Sequence, residues 1–210
     1  MACFEIRECT NPACRLRMPI DLELHAGAFC PLCGAAMVGV EPEFRHRLSP
    51  DAQCVSSSGT VAILDNIRSA HNVGAIFRTA DGAGVRHLYL CGITPSPGDN
   101  PAVAKTALGA EENVSWSHHL NAVISAKELQ IMGYELISVE CTPEAIPIHQ
   151  FHHDRAGERP MVLIIGNERA GIDPGLIRIS DAVVALPMAG EKASLNVAVA
   201  FGIAAYLLNF

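Results

Sequence analysis

Aromatic side chains are scarce in this chain, 5% of 210 residues, although half of all residues are hydrophobic. The core must therefore be aliphatic, and the runs of Val, Ile, Leu and Ala suit a largely buried parallel sheet. Long apolar segments are also missing. The longest, Leu195 to Leu208, is interrupted by Asn196 and falls short of the roughly 20 residues that span a bilayer. The first residues, Met-Ala-Cys-Phe-Glu, carry neither a basic region nor an apolar signal core. These absences lead to the expectation of a cytoplasmic protein without a membrane partner, whose thiols are reduced and more often bind metal than pair. A surplus of basic charge is lacking too. The net charge is −7, which argues mildly against nucleic acid as a partner, because phosphate contacts draw on Lys and Arg. Binding depends on a local patch, however, and arginines cluster at Arg7, Arg15, Arg17, Arg45 and Arg47 and again at Arg68, Arg78 and Arg86. No internal repeat or low-complexity tract is present.

Two regions follow from the cysteine pattern and the strand periodicity. Residues 1–50 hold Cys9-x4-Cys14 and Cys30-Pro31-Leu32-Cys33-Gly34 with little periodic pattern, then a polar connector through Glu41-Pro42-Glu43 and Ser56-Ser57-Ser58-Gly59. Two knuckles supplying two thiolates each are the donor set of a tetrahedral zinc, and the Pro and trailing Gly favour the tight turn between paired ligands. Cys9, Cys14, Cys30 and Cys33 are thus the expected ligands of a structural zinc ribbon, with Cys3 an alternative to Cys9. Cys54, Cys91 and Cys141 read as small core residues.

In residues 58–210, short aliphatic strands are expected at 61–64, 87–91, 134–140, 161–165 and 182–186. Helices are expected near 72–82, 101–108, 121–132 and 194–208. This alternation predicts an α/β fold, a parallel sheet with helices on both faces. Ligands of such sheets gather at loops leaving the C-terminal strand ends, and three unusual segments stand there. The first runs from Asn66 through Asn72, expected to cap a helix, and Arg78 to Gly82-Ala-Gly84. Those glycines follow a helix and precede a strand, the reverse of a dinucleotide fingerprint, so they read as a helix C-cap. The second is Gly166-Asn167-Glu168-Arg169-Ala170-Gly171, with no Gly-Lys-Ser/Thr to make a phosphate loop. Glu168 lies just past a buried strand, where a site role is expected. The third is Leu186-Pro187-Met188 through Ser194-Leu195-Asn196-Val197, with Ser194 expected to cap a strongly apolar helix. The histidine pairs His118-His119 and His152-His153 are expected in polar loops.

Taken together, Asn72-x5-Arg78, Gly166-x-Glu168-x-x-Gly171 and Ser194-Leu195-Asn196-Val197 resemble the motifs of the SpoU (TrmH-like) branch of the SPOUT RNA methyltransferases. The resemblance covers residues 60–210 and leaves out the ribbon. It implies a C-terminal trefoil knot and S-adenosylmethionine framed by Ile165, Gly166, Asn167, Leu186, Met188, Ser194 and Leu195. It further implies a homodimer, here expected through the apolar C-terminal helix, and methyl transfer to a ribose 2′-hydroxyl of tRNA or rRNA. Arg78 would be the indispensable catalytic residue, with Asn72, Glu168, Ser194 and Asn196 orienting it and the ribose. Methylation of a base nitrogen, or RNA binding without catalysis, are the alternatives. The ribbon is expected to add RNA contacts through Arg15 and Arg17.

Overall fold

The computed structural model of the chain describes residues 3–45, 59–151 and 159–210. The chain divides into two compact units, Met1–Gln53 and Cys54–Phe210. The expected connector at Ser56–Ser58, Cys54 and the pair His152-His153 lie outside the described residues.

In the first unit, β1 (Cys3–Cys9) pairs antiparallel with β2 (Arg17–Asp21), β3 (Met37–Gly39) and β4 (Phe44–Arg45). These strands leave little trace in the residue pattern, because they are short and few of their side chains are buried. Their core is small: Cys9, Cys30 and Met37, with Cys14, Leu16, Met18 and Ala35 packed around them.

The second unit is built on seven parallel strands: β5 (Val61–Asp65), β6 (His87–Cys91), β7 (Ser115–His119), β8 (Glu135–Val139), β9 (Ile146–Pro147), β10 (Met161–Ile165) and β11 (Ala182–Ala185). Their order is β7-β6-β5-β10-β8-β11-β9. Every residue of β5 and β10 is buried, which is why these strands read as unbroken aliphatic runs. Side chains alternate between the faces. Ala62, Leu64, Leu163 and Ile165 join one cluster with Val73, Phe77 and Phe201. Val61, Ile63, Val162 and Ile164 join the other with Ala126, Leu129 and Leu176. The first face is covered by α1 (Ala70–Ala83), α2 (Pro101–Ala107), the short α3 (Ala110–Asn113) and α6 (Val197–Asn209). The second is covered by α4 (Ala122–Ile131) and α5 (Pro174–Ile179).

Several expectations need correction. The cap of α1 is Ser69, whose hydroxyl accepts from the Asn72 N–H, so the helix starts two residues before Asn72. Likewise α6 is capped by Asn196, which accepts from the Ala198 N–H, while Ser194 stays outside the helix. Cys141 is exposed, whereas Cys91 is buried, its thiol pushed up to about 12 by that burial. His118 and His119 belong to the edge strand β7 and not to a loop. At the other end of α1, Gly84 takes the left-handed conformation (φ 73°), as the C-cap expectation requires.

Helix α1 crosses α2 at Gly74, where a Cβ would overlap the Thr106 hydroxyl and the Val103 carbonyl. Gly→Ala inside a helix ordinarily stabilises by up to about 1 kcal/mol, but overpacking costs about 1–3 kcal/mol. The Val103 backbone cannot rotate aside. Gly74→Ala is therefore expected to lower the urea midpoint, and a raised midpoint would contradict this crossing.

Candidate active site

The motif Gly166-x-Glu168-x-x-Gly171 has a backbone reason for both glycines. Asn167 and Gly171 exchange N–H···O bonds of 3.0 and 2.9 Å, folding the loop back on itself. A Cβ on Gly166 would meet the Gly171 carbonyl and the Ile172 nitrogen, while Gly171 adopts φ 74°. The far side of this turn is held by Glu140, which accepts from the Ile172 N–H at 3.0 Å.

So folded, the loop reaches across to the segment after β5. The Asn167 amide donates to the Asn66 carbonyl at 2.6 Å. Glu168 accepts from the backbone N–H groups of Arg68 (2.9 Å) and Ser69 (3.0 Å) and from the Asn72 amide (3.0 Å). It thus stands at the positive end of α1. The Asn72 oxygen in turn accepts from the Asn196 amide at 3.1 Å. Glu168, Asn72 and Asn196, from three separate segments, form one hydrogen-bonded chain.

Partial burial raises the Glu168 carboxyl, but the N–H groups of Arg68, Glu168 itself and Ser69, with the Asn72 amide, outweigh it and hold the group below its usual range. A depressed carboxyl contributes stability above the ordinary value of 4.5 and loses it as pH falls through the lower folded value. Glu168→Gln is expected to destabilise the protein by roughly 1–2 kcal/mol at neutral pH, hydrogen bonds to charged groups being discounted for exposure. Urea midpoints of the two proteins should converge at acid pH. A gap of constant size would show that the charge is immaterial.

A cleft of about 340 Å³ opens at the strand ends beside this chain of bonds. Its lining includes every residue expected to frame the cofactor: Ile165, Gly166, Asn167, Leu186, Met188, Ser194 and Leu195. Glu168 and Asn196 also line it, together with Glu140, Cys141 and Arg169, which the sequence reading missed. Asn72 stands next to the lining through its bonds to Glu168 and Asn196. Arg78 is not brought to the cleft. Six residues past Asn72, it points about 120° away around the helix, and it is exposed with no hydrogen bond or ion pair among the described residues. Also missed was Asp65, a buried carboxylate beneath the site. It accepts from the Asn66 amide at 2.8 Å and the Asp173 N–H at 3.0 Å, and burial pushes its carboxyl up. Its place as the last residue of a buried strand was the available signal.

In the first unit, the sulfur atoms of Cys9, Cys14, Cys30 and Cys33 all lie within 4.8 Å of one another. Cys9···Cys33 is 3.4 Å and Cys14···Cys30 is 3.7 Å. These separations are far too long for disulfides and close to the edge of about 3.8 Å that a zinc–sulfur tetrahedron requires. Each knuckle turns through a left-handed residue just after its second cysteine, Arg15 (φ 50°) and Gly34 (φ 74°). Within this cluster the Ala35 N–H draws the Cys33 thiol down to about 7, whereas burial pushes the Cys9 thiol up to about 12. The thiol of Cys3 instead faces the Glu43 carboxylate at 3.6 Å, so Cys3 is not the alternative ligand. Arg7, Arg15 and Arg17 are all ion-paired, with Glu5, Glu8 and Glu41 as their respective closest partners.

The pattern of the SpoU rRNA methylase family matches residues 59–206. The chain is similar to the tRNA (guanosine(18)-2′-O)-methyltransferase of Aquifex aeolicus, with 30% identity over 70% of this chain and 66% of that protein. It is 36% identical to the 23S rRNA (guanosine-2′-O-)-methyltransferase RlmB of Ralstonia nicotianae over 67% of this chain and 54% of the relative. Among solved structures, the AdoMet-bound rRNA methyltransferase from Sinorhizobium meliloti is similar at a TM-score of 0.66 and 27% identity, over 72% of this chain and 56% of that one. The chain thus spans about half to two thirds of the length of the curated relatives it matches. With a family match that takes in β5 to α6 and all three loop motifs, the chain belongs to the SpoU rRNA methylase family.

Proposed function

We propose that the protein is a methyltransferase using S-adenosylmethionine to methylate a ribose 2′-hydroxyl of tRNA or rRNA in the cytoplasm. The observation that carries this reading is the hydrogen-bonded chain Glu168–Asn72–Asn196, which joins the three family motifs at one cleft. The relatives named as guanosine-2′-O-methyltransferases support the choice of ribose.

The cleft fits the cofactor: its volume lies in the range of small-molecule sites, and it combines apolar walls at Ile165, Leu186, Met188 and Leu195 with polar groups at Asn167 and Ser194. When bound there, S-adenosylmethionine supplies an electrophilic methyl group. The chain's own residues must align the acceptor hydroxyl and assist loss of its proton. Glu168 is poorly placed to take that proton, because both of its oxygens already accept hydrogen bonds. Its role is to fix Asn72 and the loop before α1, and through Asn72 to fix Asn196. Ser194, exposed at the lip of the cleft, is free to hydrogen-bond the ribose. Arg78, brought to the reacting hydroxyl across the seam of a homodimer, holds the adjacent phosphate and stabilises the oxyanion that develops.

A homodimer through α6 completes the reading. Val199, Ile203, Tyr206 and Phe210 form an exposed apolar stripe, 39–53% exposed, at helical spacing. Gly202 of α6 packs against Thr79, so Arg78 stands beside the seam that this pairing creates. The family's trefoil knot belongs to the reading as well, supported by the insertion of β10 between β5 and β8. The first unit holds one structural zinc, its four thiolates filling the coordination shell.

The test is transfer of labelled methyl from S-adenosylmethionine into undermethylated total RNA. Label retained in dinucleotides that resist alkali identifies a 2′-O-methyl group. Label released in alkali-sensitive mononucleotides would redirect the reading to a base nitrogen, and no transfer into any RNA fraction would overturn it.

A further inference from the structure

The arginines of this acidic protein differ in how they are paired. In the first unit, three of the described arginines are ion-paired: Arg7 with Glu5 at 2.6 Å, Arg15 with Glu8 at 3.3 Å and Arg17 with Glu41 at 2.6 Å. Around the cleft the opposite holds. Arg169 lines it and Arg68 stands next to the lining through its N–H bond to Glu168; both are exposed, and neither side chain has a hydrogen bond or ion pair among the described residues. One carboxylate adjoins both, Glu168, next to Arg169 in sequence and bonded to the Arg68 backbone at 2.9 Å. Its oxygens accept from two backbone N–H groups and the Asn72 amide, so it is not left to neutralise either guanidinium.

The backbones that carry the two arginines are held as well. The Arg68 N–H donates to Glu168, the Arg169 N–H donates to the Asn167 side-chain oxygen at 2.9 Å, and the Asn167 amide ties the two loops together. Two cations on latched loops, neither ion-paired among the described residues, are suited to a flexible polyanion that must be held still. Bidentate guanidinium–phosphate bonding supplies the grip.

We infer that Arg68 and Arg169 grip the RNA phosphates flanking the target nucleotide, and that Arg15 and Arg17 of the first unit make no phosphate contact. This rests on the proposed RNA methyltransferase reading and names the residues that hold its substrate. It also reverses the sequence-based expectation that Arg15 and Arg17 add RNA contacts.

The experiment is the salt dependence of full-length protein binding to a fluorescently labelled, unmodified transfer RNA transcript, followed from low to moderate ionic strength. Each lost phosphate contact lowers the slope of log K against log salt by about 0.7–0.9. Arg68→Gln and Arg169→Gln are each expected to lower the slope by about that amount, and the double variant by about twice as much. The Arg15→Gln/Arg17→Gln variant should keep the wild-type slope. Unchanged slopes in both cleft variants, weaker binding without a slope change, or a slope change confined to the Arg15/Arg17 variant would overturn the inference. Methyl transfer by the wild type, measured in parallel, separates the two readings. Transfer with unchanged slopes removes the phosphate grip and leaves the enzyme. Lowered slopes without transfer keep the grip and remove the enzyme, and a wild type that binds no RNA removes both.

Discussion

Arg78→Ala is expected to lower the rate of methyl transfer by about 10²–10³-fold, the usual loss when one preorganised donor to a developing oxyanion is removed. The fold should be indifferent to the change. Arg78 is exposed, has no hydrogen bond or ion pair among the described residues and sits mid-helix, where alanine is the best helix former. Thermal midpoints of variant and wild type should therefore agree within a degree or two. Arg78→Lys keeps the charge and loses the planar fork, so partial recovery is expected, well short of wild type. The cleft lining does not include Arg78, which places the loss in the transfer step and in RNA binding, not in cofactor affinity. Single-turnover transfer with saturating cofactor and RNA is the measurement. Activity of Arg78→Ala within fivefold of wild type would remove the residue from the mechanism and leave Ser194, Asn196 and bound solvent to manage the hydroxyl proton.

What was legible in the sequence was whatever depends on local chemistry. The strands β5 and β10 were plain because burial on both faces admits only aliphatic runs, β6 because Leu88 and Leu90 alternate with half-buried residues, and Gly84 because a left-handed cap favours glycine. The four zinc-ligand candidates were plain because two closely spaced cysteine pairs match the donor set of a tetrahedral zinc. What escaped was set by tertiary contacts. Ser69 and Asn72 are equally good caps on propensity; Ser69 takes the role, while the Asn72 side chain bonds to Glu168, about a hundred residues away in sequence. Ser194 and Asn196 pose the same choice, and Asn196 both caps α6 and reaches Asn72. The strand Ser115–His119 looked like loop because an edge strand need not be apolar. One of its faces instead gathers Ser117 and His119, with Ser117 hydrogen-bonded to both His119 and His87 at 2.8 Å. Asn72, Glu168 and Asn196 come together in one hydrogen-bonded chain, yet the sequence offered no sign that Glu168 would be occupied by backbone N–H donors or that Arg78 would stand off the cleft.

The first unit should not survive loss of its metal. Among the described residues its buried cluster is Cys9, Cys30 and Met37, and two of those three are metal ligands by the proposed reading. So small an apolar core cannot offset the entropy of ordering some 40 residues, and domains of this size usually need disulfides or metals. The surface ion pairs of Arg7, Arg15 and Arg17 add little. Structural zinc in small cysteine sites contributes roughly 10–16 kcal/mol of apparent binding energy, enough to decide whether β1–β4 exist. One zinc per chain is expected from elemental analysis. Stripping it with a strong chelator, or replacing Cys30 with Ser, should abolish amide protection throughout residues 3–45. Protection in β5, β6, β8 and β10 should persist, because that sheet is closed by its own two clusters. Thiolate protonation competes with the metal, so release by a fixed chelator concentration should grow steeply as pH falls. Hydrogen exchange read by mass spectrometry resolves the two units in one experiment. Full protection of β1–β4 without metal would mean that hydrogen bonding and the small core suffice, and the cysteines would then need another explanation.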